Sequence, residues 1–276
     1  MKKKAWIGAL TSLLLTGMII VGCGTSTTSS EPAAKTASQP SGQPGEQKEF
    51  VFAMSGIYKP FNYKENGKLT GFDVEIGEAL AAKMGMKPVP ITFPFETIVQ
   101  GLIDKKFDAI LGSMTITEER AKVINFTKPY YRSGSQIFVA EDNQTITSPD
   151  AVKGKKIGVA AATNYEKVAM TLTDKDKVMK YSSGDVSAMM DLGTKRVDAV
   201  ISDQVFGYLA IKDGGLKVKP IGEPLVYDEQ AIGVNKENTE LLEKLNKALD
   251  EIIADGTYDK ICEKWIGRNI LGDPKK

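Results

Sequence analysis

The chain has 276 residues, with 36 Lys and Arg against 35 Asp and Glu, 42% apolar residues, two cysteines and no histidine. This length and apolar content fit one large or two modest globular domains. The missing histidine excludes Ser-His-Asp and Cys-His nucleophiles and every His-ligated metal site, and two cysteines cannot build a structural zinc cage. A near-neutral chain without a basic block argues against nucleic acid as a partner, and no cofactor or metal is expected.

Lys2, Lys3 and Lys4 precede an apolar run from Ala5 to Ile20 that reads as an export signal rather than a permanent membrane span. The run ends in Ile20-Val21-Gly22-Cys23, which resembles the lipobox of bacterial lipoproteins. That resemblance implies removal of residues 1–22 and lipidation of Cys23. Without residues 1–22 the count becomes 33 basic against 35 acidic residues. Residues 23–47 are rich in Ser, Thr, Gly and Pro and carry no apolar period, as expected of a flexible tether. A coil of this length has a root-mean-square reach of about 25–30 Å. The protein is therefore expected on the outer face of the cytoplasmic membrane or in the periplasm, anchored through its lipid.

From Phe50 onward strands and helices alternate. Phe50–Met54 reads as a strand, and Asp73–Met84 as a helix with Ile76, Leu80 and Met84 on one stripe and Gly85 at its end. Val89–Phe93 follows as a strand, Glu96–Asp104 as a helix and Phe107–Leu111 as a strand. This is the grammar of a parallel sheet. After a connection through Tyr130–Gly134 it begins again, with strands at Lys156–Ala160, Val178–Tyr181 and Val197–Ile201 and helices at Tyr165–Leu172 and Val186–Lys195. Two α/β units in tandem imply two lobes. Asn238–Trp265 reads as two packing helices broken at Gly256, with Cys262 an inert thiol on their apolar side.

Lys105–Ser113 and Lys195–Asp203 repeat one pattern, a basic helix end leading through a buried Asp-Ala strand to a polar residue. Ligands of open α/β sheets collect at the carboxyl ends of strands, so Ser113 and Asp203 are expected to line one cleft from opposite lobes. The run Gly112-Ser113-Met114-Thr115-Ile116-Thr117-Glu118-Glu119-Arg120 gathers hydroxyls, amides and a guanidinium suited to a carboxylate. The same run also reads as a helix start capped by Thr115-x-x-Glu118 with Arg120 in solvent. Asp203 offers the opposite charge, and the pair is complementary to a free α-amino acid. Tyr58 and Phe95 supply aromatic faces, which fit a core equally well.

These features, with Tyr58-Lys59-Pro60-Phe61, Gly71-Phe72-Asp73-Val74-Glu75, Phe126-Thr127-Lys128-Pro129-Tyr130-Tyr131, Lys153–Val159 and Asp255-Gly256-Thr257-Tyr258, resemble the family 3 extracellular solute-binding proteins. Those are the amino-acid receptors of ABC importers. The resemblance runs from about Phe50 to Gly267 and implies a two-lobed periplasmic-binding fold of type II. Each lobe would be a mainly parallel sheet flanked by helices, with the ligand cleft between lobes. Lobe 1 is expected at 48–130 plus 231–276 and lobe 2 at 135–225, with hinges near 131–134 and 226–230. Arg120 would grip the ligand carboxylate with Thr115 and the Thr163 backbone. Asp203, Ser113 and Thr115 would receive the ammonium, and Tyr58 and Phe95 would sandwich the side chain. Ser55, Gly112, Ala160, Asn164 and Tyr165 complete the expected ligand-binding set.

The implied activity is binding of a free L-amino acid and delivery to permease subunits by a monomer, with no catalysis. Ser55 stands where basic-amino-acid receptors of the family often carry an acid, which weakens arginine or lysine as ligand. Ala162-Thr163-Asn164-Tyr165-Glu166 resembles the run of cystine-binding members, so cystine or another polar amino acid is expected. An enzyme like cyclohexadienyl dehydratase on the same fold, whose substrates also carry carboxylates, is a second reading. A sensory amino-acid receptor is a third.

Overall fold

The structure is a computed structural model that describes residues 47–272. The export signal, Cys23 and all of the tether before residue 47 lie outside the described residues. The described residues open with β1 (Glu49–Met54), a small antiparallel meander of β2 (Ile57–Tyr58), β3 (Asn62–Glu65) and β4 (Lys68–Thr70), then α1 (Phe72–Lys83). Next come β5 (Lys87–Thr92), α2 (Ile98–Ile103), β6 (Ala109–Ile110), α3 (Glu118–Val123) and the long β7 (Ile124–Ala140). The second half holds β8 (Ile157–Ala160), α4 (Asn164–Leu172), β9 (Val178–Tyr181), α5 (Asp185–Gly193), β10 (Ala199–Asp203) and α6 (Gln204–Lys212). The long β11 (Val218–Asn235) leads back to α7 (Thr239–Ala254) and α8 (Thr257–Trp265).

One sheet runs in the order β5-β1-β6-β11-β7-β10-β8-β9. Its two flanks, β5-β1-β6 and β10-β8-β9, are parallel, whereas β11 pairs antiparallel with β6 and β7, and β7 with β10. The repeated Asp-Ala strands are thus β6 and β10, each set beside one end of the long central pair. Tyr130–Gly134, expected as a connection, instead lies inside β7. There Tyr131, Arg132, Ser133 and Gly134 face Gln230, Glu229, Asp228 and Tyr227 across an unbroken antiparallel register. The register of this pair shifts between Ile221 and Val226 and on either side of Ala231, as at β-bulges.

Helices form where the apolar period is 3.6. In α1, Phe72, Ile76 and Leu80 bury one face beside Phe50 and Phe52. Gly77 permits that approach, since a Cβ there would lie 2.4 Å from the Phe52 ring. In α7, Leu241, Leu245, Leu249 and Ile252 make the buried stripe, and the Asn238 side chain caps the start by accepting the Leu241 N–H at 3.2 Å. Gly256, left-handed at φ 78°, separates α7 from α8, and Cys262 is fully buried among their apolar residues. The helix expected over Glu96–Asp104 is a tight turn at Phe95–Thr97 followed by α2, and the strand expected over Phe107–Leu111 is paired only at Ala109–Ile110.

Candidate functional site

Five of the six parallel strands lead into one cleft between the two flanks of the sheet. From the first lobe, β1 runs into Ser55 and Tyr58, β5 into Phe95 and Glu96, and β6 into Gly112, Ser113 and Thr115. From the second, β8 runs into Ala160, Thr163, Asn164 and Tyr165, and β9 into Ser182, Gly184 and Asp185. These residues and Arg120 line a single cavity. Short loops after parallel strands place functional groups this way because the strand ends are fixed while the loops vary.

On the first wall, polar side chains are held from behind by a buried carboxylate. Asp73 accepts hydrogen bonds from the Tyr130 hydroxyl (2.7 Å), the Asn62 amide (2.6 Å) and the Ser113 hydroxyl (2.9 Å). Asn62 in turn accepts the Ser55 hydroxyl and the Gly56 N–H, both at 2.9 Å. Burial nevertheless outweighs the three donors and pushes Asp73 up to about 6. Ser113 sits at φ 55°, a left-handed conformation uncommon for a non-glycine residue, and its N–H donates to the Tyr130 oxygen at 2.9 Å. The backbone of Thr115 is tied to β11 through its bridge with Gln230.

On and behind the opposite side of the cleft lie three more carboxylates, Asp185 on the cavity wall and Asp203 and Asp228 buried behind it. Asp203 caps α6 by accepting the Phe206 N–H at 2.9 Å, and its other oxygen accepts the Tyr165 hydroxyl at 3.3 Å. Burial pushes Asp203 up to about 7, with the charges of Asp228 and Asp185 adding to the rise against the Phe206 N–H and the Ser133 hydroxyl. Asp185 accepts the Ser202 hydroxyl at 2.6 Å and is pushed by burial up to about 6. Asp228, held by the Ser135 hydroxyl at 2.8 Å, is also raised by burial, although the Arg120 charge opposes the shift.

Arg120 spans the cleft. Its guanidinium donates to the Thr115 carbonyl (2.7 Å) and, across the gap, to the Ala162 carbonyl (3.0 Å), and lies 5.7 Å from the Phe95 ring centre. Four further contacts join the walls. Thr115 donates to Asn164 at 3.1 Å, Ser182 donates to Glu96, Lys167 pairs with Glu119 at 2.7 Å, and Tyr58 stacks on Phe206 at 4.7 Å between ring centres. Tyr58 also stacks on Phe61, and Phe61 on Tyr131, so aromatic contacts run from α6 to the crossing strand β7.

Of the expected ligand-binding residues, Ser55, Tyr58, Phe95, Gly112, Ser113, Thr115, Arg120, Ala160, Thr163, Asn164 and Tyr165 line the cavity. Asp203 lies behind that surface, fully buried with the Tyr165 hydroxyl against it, because capping α6 draws its carboxylate inward. Thr115 does not cap α3: Thr117 does, accepting the Arg120 N–H at 3.3 Å, and this frees the Thr115 hydroxyl for Asn164. The sequence reading missed Glu96, Tyr181, Ser182 and Asp185 on the cavity wall. The signal for Asp185 was present, since it follows a glycine at the end of a parallel strand and opens a helix.

The model for the bacterial extracellular solute-binding proteins of family 3 matches residues 50–268. The probable amino-acid-binding protein YxeM of Bacillus subtilis is 34% identical over 100% of both chains. The L-cystine-binding protein TcyJ of Escherichia coli is 32% identical over 82% of this chain and 85% of its own. Among solved structures, an ancestral arginine-binding protein bound to arginine superimposes with a TM-score of 0.74 at 38% identity, over 80% of this chain and 99% of that one. With the matching fold and the cleft at its strand ends, these likenesses make the chain a member of the family 3 bacterial extracellular solute-binding proteins.

Proposed function

We propose that the protein is an extracytoplasmic receptor that closes on one free amino acid and delivers it to an ABC permease. The observation that carries this reading is Arg120, the cation of the cavity, poised between carbonyls of both lobes. A ligand carboxylate matches its two parallel N–H donors better than two separate carbonyls do. The ligand ammonium turns toward Asp203, whose bond to Tyr165 at 3.3 Å is long and therefore easily exchanged. Ser113 and Thr115 supply further polar contacts, and Tyr58 and Phe95 flank the side chain. Lobe 1 comprises 48–130 and 231–276 and lobe 2 comprises 135–225, with bending at 131–134 and 226–230. Each lobe holds groups that the ligand satisfies together only when the cleft is closed, so binding shifts the population to the closed form.

The relatives named for amino acids and for cystine favour an amino-acid ligand, and Thr163-Asn164-Tyr165 on the wall keeps cystine among the candidates. The test is a thermal shift on refolded, ligand-free protein against the common amino acids, cystine, ornithine, citrulline and prephenate. A ligand at 1,000 times its Kd stabilises by about 4.1 kcal/mol, a rise of roughly 8–16 °C for a chain of this size. One large selective shift, lost in Arg120→Ala while the ligand-free midpoint is kept, is expected. No shift with any amino acid, or conversion of prephenate to phenylpyruvate, would overturn the reading.

A further inference from the structure

The cavity wall holds a carboxylate that recognition of a simple amino acid leaves unused. Asp185 is 6% exposed, lines the cavity, and opens α5 directly after Gly184. One of its oxygens accepts the Ser202 hydroxyl. Among the described residues no lysine or arginine pairs with it. A buried anion without a counter-ion is costly, and the usual compensation is a partner of opposite charge.

The surroundings show where such a partner belongs. Facing Gly184 across the cleft is the turn from Ser55 to Tyr58, with Ile57 Cδ1 3.3 Å from where a Gly184 Cβ would stand. On that turn Ser55 brings no charge and donates its hydroxyl to Asn62. Glu96 also lines the cavity, held by the Ser182 hydroxyl. The charge of the site is therefore lopsided, with Arg120 set against Asp185 and Glu96 on the cavity wall and Asp203 and Asp228 buried behind it. A zwitterionic amino acid satisfies Arg120 and one carboxylate and leaves the others as they were.

We propose that Asp185 is a specificity-determining residue that receives a second positively charged nitrogen of the ligand. This inference rests on the amino-acid receptor reading and deepens it. The receptor is built for an amino acid carrying two cationic groups, one of them at the far end of the molecule. A diamino or guanidino acid has this chemistry, and so has a disulfide-linked pair of amino acids with its second α-ammonium.

The experiment is titration calorimetry on the mature full chain, refolded free of ligand, with charged and neutral ligands matched in length. The pairs are lysine with norleucine, arginine with citrulline, and cystine with the mixed disulfide of cysteine and 3-mercaptopropionate. In at least one pair the charged member should bind about tenfold tighter or more, and the pair in which this occurs identifies the source of the second cation. Asp185→Asn should reduce affinity for that charged ligand at least tenfold more than for its neutral match. Equal affinity within every pair for the wild-type chain overturns the inference even if the variant does not fold, and so does an equal loss for both members in Asp185→Asn. Binding of no amino acid at all overturns the receptor reading itself, which separates the two failures.

Discussion

Asp203, Asp185 and Asp73 are carboxylates that titrate in the folded chain near 7, 6 and 6, against a usual value of 3.8. From about pH 4 to 7 the folded chain therefore holds more protons than the unfolded one. Stability falls where the native state binds more protons and pH rises, so the ligand-free protein should become more stable as pH drops through this window and change little above it. Ligand binding should respond oppositely. With Asp203 as the proposed partner of the ligand ammonium, its ionised form is needed, so affinity should fall below pH 7, by up to about tenfold per unit for each carboxylate that must lose its proton. Melting curves with and without ligand from pH 5 to 8 would show the two trends converging, and parallel curves would refute the assignment of the ammonium to Asp203. Much at this scale was legible in the sequence, because Ser113, Thr115 and Arg120 follow a recognisable buried strand. Asp203 was singled out for its charge and strand position, but sequence spacing cannot tell that capping α6 turns its carboxylate behind Tyr165, off the cavity wall.

Gly71 shows how an element depends on one backbone position. It joins β4 to α1 at φ 124°, and a Cβ there would stand 2.4 Å from the Phe61 carbonyl oxygen and 2.6 Å from that of Pro60. Those carbonyls accept the N–H groups of Asp73 (2.8 Å) and Phe72 (3.0 Å), so the turn both starts α1 and sets Asp73 behind Ser113. Gly71→Ala should therefore destabilise by about 2 kcal/mol or more and weaken ligand binding, as measured by chemical denaturation and calorimetry on the same preparation. A variant with wild-type stability would show that the turn relaxes freely. Elements with a clear period were legible: α1, α7 and the flanking strands carry apolar stripes or short apolar runs. The central strands β7 and β11 were not. Their middle portions contain Arg132, Ser133, Ser135, Gln136, Asp228 and Gln230, of which Ser133, Ser135, Gln136 and Gln230 are fully buried. Polar residues in a buried crossing give no alternation for a periodicity argument to find, and their role is clear only once both lobes are in place.

For the molecule as a whole, the proposed lipid on Cys23 would keep the receptor within a tether's length of its membrane partner. Cys23→Ala should move the protein from the membrane fraction to the soluble fraction without altering ligand affinity, and retention in the membrane would refute lipid anchoring at that residue. The C-terminal segment meets the crossing strands. The Ile270 carbonyl accepts the Arg132 N–H at 2.8 Å, and the Leu271 carbonyl accepts the Arg132 guanidinium, which also pairs with Glu229 at 2.9 Å. Lys167 and Glu119, by contrast, meet across the cleft from opposite lobes, with half or more of each side chain exposed. This contrast suits the molecule to serve as a sensor. If the lobes part about the proposed hinges, fluorophores at positions 119 and 167 would separate, whereas a handle fused after Leu271 would sit beside Arg132 and Glu229 in those hinges and could fix the protein to a surface without hindering the motion.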